Sequence, residues 1–460
     1  FRTRNKEDED GTANIATYFD TENYEKNKHF YEELRVNGTL DNFTITAGLS
    51  YYWEDAHQES RTNTFTDTID TVLTNIGAFP YPPFAATTQL LNQAGYDFNL
   101  LGLAWNETMY NDGTYSAYAA FGDVTWAATD KLNVTVGLRY TEDKKEFSWF
   151  NGPRVAPEVD YIQSLIGVND FSFDFVFPVG ALEGQTLTLD KTWDDVSGRV
   201  VVDYKVADHI MAYGSYAQGY KAGGFNSVEV NSQFEPESVD NYEIGIKSEW
   251  FERTLRLNAS AYEYRYDDKQ EISLESLNDA GVPQYVTRTG DTKGTGLDVE
   301  LTWLPLDSIS LFANYGYLDA VWTRRLQNGI DISGQPTGTP SQRLAVGADY
   351  FDTTDDGSEW RYHVDYSYTS ASRRNDACEA TGTCTNTLYN FETGVARKIA
   401  NARVTWTNPD GYLSASVFVK NLLDKRYVGG VNNITTQTLG TPYARINQPM
   451  TWGLDLRVNF

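Results

Sequence analysis

The chain ends Thr451-Trp452-Gly453-Leu454-Asp455-Leu456-Arg457-Val458-Asn459-Phe460, in which Trp452, Leu454, Leu456, Val458 and Phe460 alternate with Gly453, Asp455, Arg457 and Asn459. Successive side chains of an extended strand point to opposite faces, so one face here is apolar and the other polar. In a water-soluble sandwich the apolar face would be the inside. In a membrane barrel it meets lipid, and the polar face lines a wet lumen. The same code recurs at 43–58, where Phe43, Ile45, Ala47, Leu49 and Tyr51 oppose Thr44, Thr46, Gly48 and Ser50. In 132–141 it sets Leu132, Val134, Val136, Leu138 and Tyr140 against Asn133, Thr135, Gly137, Arg139 and Thr141. Arg139 then faces the lumen, which avoids a cost of about 2–4 kcal/mol for arginine at mid-bilayer.

Outward from these segments, about fifteen alternating stretches run from residue 28 to the C-terminus, and their connections sort by length. Short ones, rich in turn formers, include Leu40-Asp41-Asn42, Thr129-Asp130-Lys131, Ala207-Asp208-His209 and Pro409-Asp410-Gly411. Long ones cover 59–114, 149–193, 224–237, 323–341, 374–387 and 428–447. A bacterial outer-membrane barrel has such an arrangement, with tight periplasmic turns and extended extracellular loops, whereas a sandwich has no reason to sort its connections by end. The expected class is all-β, an antiparallel transmembrane β-barrel. No Pro-rich or Ser-rich linker divides the 460 residues, which favours one continuous architecture.

Composition agrees. Hydrophobic residues make up 40%, the mean hydropathy is −0.49, and no run of eighteen apolar residues offers a spanning helix. The aromatic share of 14% suits interfacial girdles. A net charge of −27 argues against nucleic acid as a partner; an acidic lumen and loops would attract cations, but solubility of exposed loops is the favoured reading. Cys378 and Cys384 read as a small loop disulfide, since two thiols without a nearby histidine do not make a zinc site. No cofactor-binding or metal-binding motif occurs. Arg361, His363, Asp365 and Ser367 share one luminal face, but neighbours along a strand face lie about 7 Å apart, which points to a luminal hydrogen-bond network instead of a catalytic relay. The start, Phe-Arg-Thr-Arg-Asn-Lys, offers no apolar signal core, so a processed or truncated chain is expected.

Ligand recognition is expected in the long loops. In 59–114, Phe79-Pro80-Tyr81-Pro82-Pro83-Phe84 and Trp105 are stiff and aromatic, making Tyr81, Phe84 and Trp105 candidate contacts; self-packing of the loop is the equal alternative. Loop 149–193 adds Trp149, Phe171, Phe173, Phe175 and Phe177, read as a further projecting hairpin.

Several runs resemble TonB-dependent outer-membrane receptors of the iron-complex branch. The longest is Tyr213-Gly214-Ser215-Tyr216-Ala217-Gln218-Gly219-Tyr220-Lys221-Ala222-Gly223-Gly224-Phe225-Asn226, followed by Phe234-Glu235-Pro236-Glu237-Ser238-Val239-Asp240-Asn241-Tyr242-Glu243-Ile244-Gly245-Ile246-Lys247. Tyr118 to Gly122 followed by Val136 to Thr141 also match, and Gly294 to Glu300 and Val419 to Tyr427 sit where the family's late-barrel signatures belong. Gly198 in place of a frequent Pro, and Met450 after Pro449 where relatives often carry Arg, are departures of detail. Gly223 and Gly224 are expected to permit a bend where their strand leaves the membrane.

The resemblance implies a barrel of about 22 strands around a plug. Residues 1–27 would be an incomplete loop or strand remnant and 28–460 the C-terminal part of the barrel, with plug, energy-coupling box and first strands lacking. It implies active uptake across a Gram-negative outer membrane of a scarce, bulky nutrient, foremost a ferric siderophore, bound at the extracellular loops and upper lumen. Implied partners are the TonB energy-coupling complex, outer-membrane lipid and lipopolysaccharide, and the barrel-assembly machinery, which would read the terminal Phe460. The alternatives are a passive diffusion channel, or TonB-dependent uptake of cobalamin, a carbohydrate or an aromatic compound.

Overall fold

A computed structural model describes residues 2–8, 19–167, 175–177, 184–277, 281–327, 329–373, 387–388, 391–431 and 438–459. Cys378, Cys384, Phe171, Phe173 and Phe460 lie outside the described residues.

One antiparallel sheet of sixteen strands dominates, each strand bonded to its neighbours in sequence. The strands are β1 (Arg2–Asp8), β2 (Phe19–Leu40), β3 (Phe43–Phe65), β4 (Ala104–Ala127), β5 (Leu132–Asn151), β6 (Thr186–Ala207), β7 (Ile210–Lys221), β8 (Glu237–Trp250), β9 (Leu255–Leu277), β10 (Pro283–Leu306), β11 (Ile309–Arg324), β12 (Gln342–Thr353), β13 (Glu359–Thr369), β14 (Arg397–Thr407), β15 (Leu413–Lys420) and β16 (Thr451–Val458). Each of the fifteen expected stretches overlaps one of β2 to β16. The added strand, β1, pairs with the upper part of β2 from Arg2↔Lys26 to Asp8↔Asp20.

Register carries the two-faced code from strand to strand. One row runs Ile45↔Val124↔Val136↔Val200↔Tyr216↔Tyr242, and another Ile244↔Ala261↔Leu297↔Tyr317. Val136 is 46% exposed and Leu454 62%, so the apolar set points away from the molecule. A contiguous exposed apolar belt this wide is stable only against lipid. At the short-turn end the belt closes on Phe43, Trp126, Trp250, Trp303 and Trp360, and at the long-loop end on Tyr51, Tyr118, Tyr140, Tyr216 and Tyr242. Above those tyrosines the outward positions become Glu142, Lys144 and Glu146 on β5 and Asp194 and Asp190 on β6, which marks the edge of the membrane.

The inward face is polar and cross-linked between strands. Arg199 pairs with Asp123 at 2.8 Å, Asn133 donates to Asp203 at 2.9 Å, and Arg139 reaches Ser50 at 3.4 Å and Thr141 at 3.1 Å. His363 sits between Asp349 at 2.9 Å and Asp365 at 3.2 Å, while Arg361 donates to Asp349 at 2.7 Å. The luminal network is present, but the expected spacing is corrected. His363 and Asp365, two residues apart, touch at 3.2 Å because the imidazole leans along the strand toward the carboxylate.

The sheet is strongly curved. The Asn75 side-chain amide, between β3 and β4, donates to the Thr438 carbonyl, between β15 and β16, at 2.9 Å. In a flat sheet these connections would lie roughly 58 Å apart, twelve spacings of about 4.8 Å.

Strand ends at the long-loop side differ most from expectation. The β3–β4 hairpin stays paired up to Phe65↔Ala104, and β5–β6 up to Phe150↔Thr186. The connections then fold into helices α1 (Thr66–Asn75), α2 (Pro83–Gln93) and α3 (Pro157–Ile166), so the expected extra hairpin in 149–193 is instead an extension of β5–β6 topped by α3. Pro83 and Pro157 stand in the first turns of α2 and α3, where a missing N–H is harmless, and Gly167 closes α3 at φ 72°.

Candidate functional site

These helices and the strand ends around them form a small apolar core above the belt. Ile69, Val72 and Leu73 of α1 are buried at helical spacing, together with Phe84 of α2 and Val159 and Ile162 of α3. Trp105, Leu100, Phe175 and Val282, from three other segments, join the core with Phe19 of β2 and Ala156, and Leu439 packs against it. Connections from well-separated points of the sheet therefore meet in one cap.

Two carboxylates anchor it. Asp70 of α1 accepts from the backbone N–H of Phe84 at 2.7 Å and of Ala85 at 2.8 Å, capping the start of α2 from another helix. Glu107, 2% exposed, accepts from Trp105 Nε1 at 2.7 Å, Val176 N at 2.7 Å, Phe177 N at 3.1 Å and Phe175 N. Burial pushes the Glu107 carboxyl upward, opposed by those four donors. The Arg154 guanidinium lies over the Trp105 ring at 4.5 Å and pairs with Asp160 at 2.7 Å.

The three aromatic candidates part company here. Phe84 and Trp105 are 0% and 1% exposed and meet edge-on with centroids 5.8 Å apart, as in the self-packing alternative. Tyr81, 57% exposed, points outward.

Beneath the cap, on the inward side and above the membrane edge, lies a recess of about 400 Å³ lined by Tyr52, Glu54, Tyr115, Asp143, Lys145 and Phe225. Register creates it: Tyr52↔Ala117, Glu54↔Tyr115 and Tyr115↔Lys145 place these side chains on one face of β3, β4 and β5. Phe225 arrives from the connection after β7. It stacks on Phe147 with centroids 5.8 Å apart and meets Trp149 edge-on at 5.9 Å. Trp149 in turn donates to the Asn226 carbonyl at 2.8 Å.

Lys145 is the recess's cation. Its ammonium donates to the Gly223 carbonyl at 2.7 Å and lies 5.8 Å from the centroids of both Tyr115 and Trp193. Burial pulls the Lys145 pKa below the ordinary lysine value. An ammonium has three donors, so the group can hold the loop and still address an acceptor in the recess. Tyr52 donates to Glu54 at 2.6 Å, fixing the opposite wall.

The glycines before Phe225 serve space. Neither has positive φ. A Cβ at Gly223 would stand 2.5 Å from the Phe234 carbonyl oxygen and 2.7 Å from the Trp193 ring, and one at Gly224 would stand 2.6 Å from the Phe234 ring. Past the end of β7 the chain makes a close crossing at these glycines, in which Gly224–Phe225 and Gln233–Phe234 form a short ribbon. Sequence reasoning passed over Lys145, Tyr52 and Tyr115. Their signal was inward parity just beyond the tyrosine belt toward the long loops, one residue past Tyr51, three past Tyr118 and five past Tyr140 on their strands.

Comparison with known proteins fits this architecture. The profile of the family described as "TonB dependent receptor-like, beta-barrel" matches residues 1–433. The pesticin receptor of Yersinia enterocolitica serotype O:8 / biotype 1B is 26% identical over 279 residues, covering 59% of this chain and 35% of that protein. The ferric-pyoverdine 358 receptor of Pseudomonas putida is 29% identical over 117 residues, covering 25% of this chain and 14% of that protein. Among solved structures, the ferric yersiniabactin uptake receptor FyuA of Yersinia pestis superposes with a TM-score of 0.66 at 17% identity, over 97% of this chain and 56% of that one. The chain thus spans about a third or less of the length of these curated relatives and just over half that of this structure.

Proposed function

We propose for this chain, which belongs to the TonB-dependent receptor β-barrel family, a part in active uptake of a ferric siderophore across the outer membrane. The long-loop end is extracellular in this reading, and the short turns face the periplasm. Ligand is captured under the cap at the upper lumen, and passage is driven by force from the TonB complex acting on the whole receptor. Barrel-assembly machinery, lipopolysaccharide and outer-membrane lipid are the other expected partners, and Phe460 remains the proposed assembly signal.

The observation that carries the reading is the recess at Lys145. It joins the aromatic faces of Tyr52, Tyr115 and Phe225 to a cation, Lys145, balanced by the carboxylates Glu54 and Asp143, and sits inside the barrel mouth, where the planar arms of a bulky chelate would be desolvated. Loops converging over that mouth favour a receptor over an open diffusion pore. The names of two relatives, a ferric-pyoverdine receptor and a ferric yersiniabactin uptake receptor, support an iron chelate as cargo. Uptake of a panel of radiolabelled ferric chelates is to be compared in a strain lacking the gene and in its complemented parent. Loss of one chelate identifies the cargo, and unchanged uptake of all of them removes the siderophore reading.

A further inference from the structure

β6 is paired on both sides only in its lower part. Its contacts with β5 run up to Phe150↔Thr186, but those with β7 stop at Arg199↔Ala217. Above that point β7 follows β8, ending at Lys221↔Glu237, and the wall splits into two blades. Residues 186–198 of β6 remain a regular strand whose outer edge has no backbone partner among the described residues. Alternate N–H and C=O groups of such an edge stand open to any extended backbone.

Other projecting edges are closed by side chains. On β9, Gln270 N donates to Glu237, at 2.7 Å. On β10, Thr287 N donates to Asn226 Oδ1 at 2.7 Å, and the Thr289 carbonyl accepts from Arg325 at 3.2 Å. The connection after β7 does not do this for β6. It lies across the inner face, with Phe225 6.1 Å from Trp193 and Glu235 paired with Lys191 at 2.8 Å, and among the described residues none of its backbone groups bonds to the backbone of 186–198.

We propose that residues 186–198 of β6 dock an extended segment of a protein partner, which adds to the sheet as an antiparallel strand. Charge defines the partner further. The outward face beside the edge carries Asp190 and Asp194, with Glu146 and Glu142 opposite them on β5 and Lys144 as the single outward cation of these rows. A strand bearing lysine or arginine at alternate positions complements that face. A second copy of this chain does not, because edge-to-edge pairing of two β6 strands would set aspartates against aspartates.

The test uses the full chain in detergent micelles and a fluorescent peptide of alternating lysine and threonine long enough to span residues 186–198. Binding is read by anisotropy and by hydrogen exchange of the β6 amides. The expected result is protection of amides within 186–198. The D190K/D194K double variant should bind this peptide about tenfold more weakly, as cross-strand pairs of a few tenths to 1 kcal/mol each turn from attractive to repulsive. The same variant should prefer a glutamate–threonine peptide. Equal binding of a peptide N-methylated at alternate residues, unchanged exchange of the β6 amides, or a dimer in which those amides are already protected would each overturn the proposal. None of these outcomes depends on whether the cargo is a ferric chelate.

Discussion

The Lys145 ammonium and the Gly223 carbonyl meet at 2.7 Å, tying β5 to the loop that carries Phe225. Lys145→Met removes this bond and the contacts with the Tyr115 and Trp193 rings. The expected outcome is a loss of about 1–3 kcal/mol in the local opening free energy of residues 222–236, seen by hydrogen exchange, with the belt strands unchanged.

Gly223→Ala and Gly224→Ala test the crossing independently of charge. Each new methyl must displace Phe234, and Gly223→Ala also the Trp193 ring. A cost of about 1–3 kcal/mol is expected for each. Limited proteolysis should cut the 222–236 loop faster while the folded yield of barrel stays the same.

Glu107→Gln keeps the size of the side chain but turns an amide donor toward backbone donors. With Val176 N and Phe177 N sharing one oxygen, and Trp105 Nε1 and Phe175 N the other, either orientation of the amide leaves two donors unmatched. About 1–3 kcal/mol of cap stability should be lost, read from exchange at residues 175–177.

The same carboxyl sets a pH dependence. Its pKa is higher in the folded cap than in the opened one, so the folded state binds the proton more tightly. Cap protection should be full below the ordinary glutamate value of about 4.3 and decline as pH rises from there through the folded value. Exchange at residues 175–177 followed against pH checks the sign, and Glu107→Gln should flatten the profile.

Val136→Arg places a charge on the lipid face and should cost about 2–4 kcal/mol of folding free energy in vesicles. Thr135→Arg, on the inward face, should cost much less. Equal effects would contradict the assignment of faces.

Much of this architecture was legible because lipid and lumen impose opposite demands on alternate residues, as Val136 and Arg139 show. Above Tyr51 and Tyr140 both faces are wet, the alternation lapses, and the strand ends escaped: β3 runs to Phe65 and β4 begins at Ala104. β1, Arg-Thr-Arg-Asn-Lys-Glu-Asp, shows no apolar face at all. The helices left faint marks, the spacing of Ile69, Val72 and Leu73 and prolines 83 and 157, which were outweighed by the expectation of a loop. Aromatic identity alone did not separate Trp105, turned into a core, from Tyr81, turned to solvent, since that difference is made by segments distant in sequence.

The contact of Asn75 with Thr438 bridges 363 positions of the chain. Contacts of such long sequence separation repay their loop-closure entropy late, after the nearest-neighbour hairpins have zipped. The cap therefore reports on maturation. An antibody fragment selected against the joined surface of α1 and the Thr438 segment would recognise finished molecules and ignore half-inserted ones, giving a kinetic stopwatch for biogenesis.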